Sequence, residues 1–362
     1  MNGAAPTSLG NPNVKWETAK QSNIGLDLGL LDGKISASAN YFIRRTQDIL
    51  LSQEVPAISG SNSIIRNVGG MENKGFEFSL SYKEREKEFN YDISANFSTI
   101  QNEVTNLGSS GALISSFDYS YVLIDFQGAL GSMIRSEVGY PYAQFYGWET
   151  DGIFQTQSEV QEYTHEGELI QPNAQPGDFK FKDNNNNGTI DDGDKAFIGN
   201  PRPDLSFGLT FNAYYKNFDL SILLQGQTGN DIYNAAKYYF MRFDARHNVR
   251  ENYLDDYWSG QNTSNDQPIV TTDVSRNDRN FRNSDYYVED GSYMRIKALQ
   301  LGYEFTPQMG AFQPKCRVYF SAKNLLTLTK YSGFEPEISG NSIDQGIYPQ
   351  AQEFMFGTII NF

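Results

Sequence analysis

The chain has 362 residues, a formal net charge of −15 and a mean hydropathy of −0.54, yet 14% of it is aromatic, with 23 Tyr and 25 Phe. The acidic balance excludes nucleic acid as a partner, since that needs a basic footprint, and no run approaches the roughly 18 apolar residues of a membrane-crossing helix. One cysteine, Cys316, excludes an internal disulfide, and two histidines, His165 and His247, leave little for His-based catalysis or a His-rich metal site.

Many aromatics in a hydrophilic chain suit a membrane β-barrel, with aromatic girdles, an apolar outer face and a polar lumen. They also suit a soluble β-protein rich in Tyr and Phe, and composition leaves both open. Residues 1–6 lack the basic region and apolar core of a secretory signal, so an exported protein of this sequence is expected to be a mature form or a fragment.

In chain order, alternation of apolar and polar residues predicts strands. Ile24, Leu26, Leu28 and Leu30 share a face opposite Asp27. Ile35, Ala37, Ala39, Tyr41 and Ile43 alternate with Ser36, Ser38, Asn40 and Arg44. Phe76, Phe78, Leu80 and Tyr82 follow, then Phe89, Tyr91, Ile93, Ala95 and Phe97. Phe207, Leu209, Phe211 and Ala213 begin the next pair, and Phe218, Leu220, Ile222 and Leu224 complete it. Weaker segments cover 295–305 and 316–325, and the last puts Phe354, Phe356, Ile360 and Phe362 on one face. Cys316, at the start of its strand, is expected to be a small buried hydrophobe.

Each segment is close to the roughly 9–11 residues a tilted strand needs to cross a bilayer. Tight turns are expected at 31–33, 83–87, 215–217 and 306–314, with Asp32-Gly33 suited to a hairpin. The other connections, 49–70, 101–204, 228–292 and 327–352, are long. Turns on one side and long loops on the other is the outer-membrane pattern, periplasmic and extracellular respectively. If the last strand runs inward to the periplasm, 101–204 must hold an even number of crossings. Residues 132–152 are therefore read as an extracellular excursion, giving about nine crossings of an all-β, antiparallel barrel segment.

The residues also carry a resemblance. Asn11-Pro12-Asn13-Val14-Lys15-Trp16-Glu17, Asn73-Lys74-Gly75-Phe76-Glu77, Gly139-Tyr140-Pro141, Ile198-Gly199-Asn200-Pro201 and Val288-Glu289-Asp290-Gly291-Ser292-Tyr293-Met294-Arg295-Ile296-Lys297 resemble the SusC/RagA branch of TonB-dependent transporters. Matches run along the chain in family order, through 321–325 and Tyr348-Pro349 to Phe362. The resemblance implies a barrel of about 22 strands around a plug domain, a SusD-type surface lipoprotein as lid, TonB acting through the plug, and oligosaccharide or peptide as cargo. No plug, no TonB-contacting segment and none of the first strands is recognisable. Residues 1–362 are therefore expected to be the C-terminal part of such a barrel, with excursions 101–204 and 228–292.

Two local motifs stand out. Asp183-Asn184-Asn185-Asn186-Asn187-Gly188-Thr189-Ile190-Asp191-Asp192-Gly193-Asp194 fits the D-x-[DN]-x-[DN]-G calcium loop. Asp183, Asn185 and Asn187 would give side-chain oxygens, Thr189 its carbonyl, and Asp191 a ligand through water. Asp194 stands where the pattern wants a bidentate Glu, which weakens the expected Ca²⁺ site; a metal-free Asn/Gly turn is the alternative. Gly357, Ile360 and Phe362 resemble the terminal signal read by the outer-membrane assembly machinery, although Met355 stands where a polar residue is expected. An ordinary closing strand is the alternative.

The aromatic stretch 140–148 and Tyr233, Tyr238, Tyr239, Phe240 and Tyr253 could stack on sugars or could simply pack loops together. Acidic pairs such as Asp255-Asp256 do not amount to glycosidase chemistry, which needs set separations, and no enzyme is expected. The competing readings are a stand-alone outer-membrane channel or adhesin, and a secreted Ca²⁺-binding, carbohydrate-binding β-protein.

Overall fold

The computed structural model describes residues 9–361 except 57, 59, 61–62, 109–111, 116–131, 244–247, 252–254, 309 and 311–312. Its wall is one nine-stranded sheet in which each strand pairs antiparallel with the next in sequence. The strands are β1 (Thr18–Leu30), β2 (Ile35–Glu54), β3 (Ser63–Glu84), β4 (Phe89–Leu107), β5 (Leu205–Tyr215), β6 (Phe218–Thr228), β7 (Tyr293–Phe305), β8 (Lys315–Thr329) and β9 (Glu353–Asn361). Every alternating segment falls inside one of them, except that Phe362 of the last lies outside the described residues. Among the described residues β1 and β9 do not pair with each other, so the sheet is open.

The registers decide what alternation could not. Phe78 pairs with Phe97 and Phe97 with Phe207, so the apolar residues form one continuous face. That face is bare: Ile24 is 78% exposed, Phe76 60% and Phe356 82%. A soluble sandwich would bury such a face against a second sheet, and an apolar surface this large is not left to water. Lipid is the medium it fits. No helix of the described residues is long and apolar enough to cross a membrane.

The opposite face carries the row Ser38, Ser79, Asn96, Gly208, Gln225 and Arg295, paired strand to strand. Asp219 and Arg317 also meet there, with Arg317 Nε donating to Asp219 Oδ1 at 2.9 Å. Cys316 is buried at the second position of β8, as expected.

The expected long connection at 49–70 is corrected. β2 and β3 continue to Glu54 and Ser63 as a two-stranded ribbon. A bulge near Asp48, whose φ is 61°, shifts the register at Gln47/Ile49 and hides the periodicity. The ribbon is clamped from outside. Asn67 accepts from Lys15 N (2.9 Å) and donates to Lys15 O (2.7 Å) and Asp48 O (2.8 Å). Asn11 donates to Ile65 O at 2.9 Å.

Residues 132–152 add no strand to the wall. Ile134–Glu137, Gln144–Gly147 and Ala196–Gly199 belong to a separate four-stranded sheet with Ala112–Ser115. The long connections pack on one another around their own core, with Ile134, Phe145, Tyr233, Phe281 and Tyr287 all 2% exposed or less. A second cluster holds Ile153, Phe179, Phe181 and Trp258. This loop layer is a folded body, which is why connections of such length are stable.

Candidate functional site

Three features compete as functional sites: the acidic loop 183–194, the polar face of the wall, and the aromatics of the loop layer.

The acidic loop closes on itself. Asp183 accepts from Asn187 N (3.1 Å) and Gly188 N (2.8 Å), Asn185 Oδ1 from Asn187 N (2.9 Å), and Asn187 Oδ1 from Thr189 N (2.9 Å). Gly188, at φ +84°, makes the turn that a side chain would strain. Asp194 is fully buried and accepts from Asp191 N (2.7 Å) and Asn185 N (3.3 Å). Asp191 Oδ1 accepts from Gly193 N at 2.7 Å, completing a capping box with Asp194. Trp148 Nε1 donates to Asp191 O at 2.7 Å and fixes the loop to the layer.

The Asp183 and Asn185 oxygens each keep a second lone pair for a hard cation, whereas Asn187 Oδ1 also accepts from Thr189 Oγ1 (3.0 Å) and would have to release it. Among the described residues no three Asp, Glu, His or Cys gather to hold a metal. A cation here therefore depends on the amides of Asn185 and Asn187 and the carbonyl of Thr189, the composition of a weak site.

On the polar face, Arg295 and Glu335, both 3% exposed at the side chain, form a 2.6 Å ion pair. Glu337 accepts from Arg295 (2.9 Å), Lys297 (2.9 Å) and Gln225 (3.1 Å). The connection between β8 and β9 thus folds back onto the wall's polar side. Beside it lies an open groove of about 760 Å³, lined by Asn40, Glu77, Ser79, Asn96, Gln225 and Glu337 among others. The lining mixes these hydrogen-bonding groups with Phe78, Phe97, Phe207 and Leu224, so it offers a ligand both polar and apolar contacts.

The loop aromatics divide. Tyr233 and Tyr238 are buried, and Tyr233 stacks on Tyr287 with centroids 5.3 Å apart, so they pack loops and reach no ligand. Tyr140, 46% exposed over Phe197 at 4.6 Å, and Phe240, 40% exposed, remain accessible. Tyr253 lies outside the described residues. Burial pushes the Tyr233 and Tyr287 hydroxyls well above the usual range. Asp285 is also pushed up by burial, although Thr150 N and Oγ1 donate to it at 3.0 and 2.8 Å.

In the closing strand, Gly357 pairs with Tyr319 and Ile360 with Cys316. Ile360 is 49% exposed on the lipid-facing side. Phe362 lies outside the described residues.

Sequence reasoning missed the Arg295–Glu335–Glu337 set. Its signal was three charges, Arg295, Lys297 and Glu337, flanking segments otherwise read as strand and loop.

Residues 1–164 match the family model "TonB dependent receptor-like, beta-barrel". The chain is 30% identical over 383 residues to TonB-dependent receptor P3 of Formosa agariphila, covering 100% of this chain and 36% of that protein. It is 31% identical over 360 residues to TonB-dependent receptor SusC of Bacteroides thetaiotaomicron, covering 97% and 32%. Among solved structures, the RagAB peptide transporter matches with TM-score 0.74 and 26% identity over 98% of this chain and 36% of that one. The RagAB importer in its open-open state gives TM-score 0.76 at 25% identity with the same coverage. The chain spans about a third of the length of the relatives it matches. These relatives are receptors and transporters, not enzymes.

Proposed function

We propose that this chain carries part of the outer-membrane β-barrel of a SusC/RagA-like TonB-dependent receptor of Gram-negative bacteria and forms wall and extracellular loop layer of an importer for hydrophilic oligomers. The cargo is oligosaccharide or peptide; the likeness to RagAB supports peptide, and the accessible Tyr140 and Phe240 suit sugar. The carrying observation is the division of one sheet into a bare apolar face and a polar face with a groove and an inward-folded loop.

In the intact protein a SusD-type lipoprotein caps the loop layer, and TonB acts through a plug domain. The outer-membrane assembly machinery reads Gly357, Ile360 and Phe362. A Ca²⁺ ion held by Asp183, Asn185, Asn187, Thr189, Asp191 and Asp194 would supply structural cross-linking only. The loop 183–194 pins the layer through Trp148.

Uptake of labelled oligosaccharide and peptide by cells with and without the receptor, and with and without TonB, tests the reading. Energised uptake that depends on both supports it. Passive leakage independent of TonB supports a stand-alone channel instead. Pull-down of the receptor with a surface lipoprotein tests the lid.

A further inference from the structure

The loop layer holds a second pocket, of about 290 Å³, lined by Gln171, Asn173, Phe181, Ile190, Arg279 and Arg282 among others. Several cations of this layer are matched: Lys180 with Asp151 (2.7 Å), Lys182 with Glu149 (3.4 Å), Lys195 with Asp192 (2.8 Å) and Arg276 with Asp178 (2.5 Å). No carboxylate of the described residues pairs with Arg279 or Arg282. In a chain of net charge −15, two adjacent unmatched arginines call for an explanation.

Asp178 lines the same pocket but cannot neutralise them. Its Oδ1 accepts from Arg276 Nε (2.5 Å) and Asn280 Nδ2 (2.9 Å), and its Oδ2 from Gln175 N (2.9 Å). The Arg282 guanidinium is fixed by its surroundings. Its carbon lies 4.6 Å from the Phe181 ring centroid and 5.1 Å from that of Trp148, and Nε donates to Arg279 O at 3.0 Å. Ring faces orient a guanidinium without consuming its N–H donors. Arg279 donates once, to Asn173 O at 3.3 Å.

We propose that this pocket binds a carboxylate, taken bidentately by the free donors of Arg282 with Arg279 beside it. A planar fork held by stacking matches a carboxylate in shape and charge. Burial and the neighbouring Arg279 push the Arg282 guanidinium down to about 10, so it stays charged at neutral pH and gains from an arriving anion. The volume, about 290 Å³ and just below the usual range of about 300–1,000 Å³, admits one sugar or one amino-acid unit. Resting on the cargo proposed above, the carboxylate belongs to a uronic acid or to an acidic peptide residue.

Calorimetric titration of the intact receptor in detergent with digalacturonate and with glutamyl-alanine amide, each against its carboxylate-free counterpart (digalactose, glutaminyl-alanine amide), tests this. At least one acid is expected to bind tighter than its neutral partner by about tenfold or more, since charged hydrogen bonds contribute on that scale. Which acid binds identifies the source. Arg282→Gln and Arg279→Gln should each weaken the acid by about tenfold and leave the neutral ligand unchanged. If Arg282→Gln loses the protease resistance of the loop layer, Arg279→Gln, more open to solvent, carries the test. Binding of neither acid, equal binding of the neutral partner, or wild-type affinity in folded variants overturns the proposal.

Discussion

The Arg295–Glu335 pair offers the sharpest test of how the loop layer is joined to the wall. Glu335→Ala removes a carboxylate whose Oε1 accepts from Arg295 (2.6 Å) and Glu337 N (2.9 Å), and whose Oε2 accepts from Gln350 N (3.2 Å). Breaking a buried ion pair costs about 3–5 kcal/mol. Arg295 keeps Glu337 (2.9 Å) and Thr327 (2.8 Å), which places the loss near the lower end. The cost falls on opening of the β8–β9 connection, since the wall strands keep their ladders. At about 1.4 kcal/mol per tenfold, ~3 kcal/mol is about a 100-fold rise in the open population. Amide hydrogen exchange of residues 330–352 in the intact receptor should accelerate by that factor, with β7 and β8 unchanged. Arg295→Met with Glu335→Leu should recover most of the protection, because an apolar pair of similar size replaces a buried ion pair at little cost. Wild-type exchange in Glu335→Ala would refute the reasoning.

Four further outcomes are expected. Leu80→Arg, on the bare face, should destabilise folding into bilayers, by at most the roughly 2–4 kcal/mol of a mid-depth charge, while Ser79→Arg on the opposite face should cost little; equal effects would deny the lipid assignment. EDTA should lower the melting temperature of the intact receptor, and no shift on calcium removal rejects the metal loop. Gly75→Ala would place a Cβ 1.9 Å from Thr99 O and should sharply cut the yield of folded receptor in the outer membrane, read as heat-modifiable protein on gels. Finally, although burial raises Glu289 and Glu337, their cationic and hydrogen-bonding partners, led by Lys237 and Lys297, lower both overall. Depressed folded values make this stabilisation full above the ordinary carboxylate value of about 4.3 and lost as pH falls through the folded values. Proteolysis of the β8–β9 connection should therefore rise below that pH and stay flat between 6 and 8.

The nine wall strands were legible because a membrane imposes period two on each crossing. Where the membrane stops, so does the pattern: β2 and β3 run on past the bulge at Asp48, and nothing outside lipid requires alternation there. Which face was dry was not legible either, since charges such as Asp27 and Glu77 suit a lumen and a solvated surface equally. The loop layer was hidden for another reason. Phe145, Tyr233 and Tyr287 come from separate stretches of the chain and share no period. Yet the family-like motifs had marked its seams. Asn102, accepting from Tyr142 N and donating to Asn73 (both 2.7 Å), ties β3 and β4 to the excursion beside Pro141. Asn200 exchanges bonds with Asp231 at 2.7 and 2.8 Å. Arg295, within the stretch Val288–Lys297, holds Glu335. Short polar motifs thus sit where wall meets loop layer, and there a buried donor or acceptor has one partner geometry available. The Arg279–Arg282 pocket lies away from those seams, and its composition follows from no junction the fold must make, which is why a ligand is the simpler account of it.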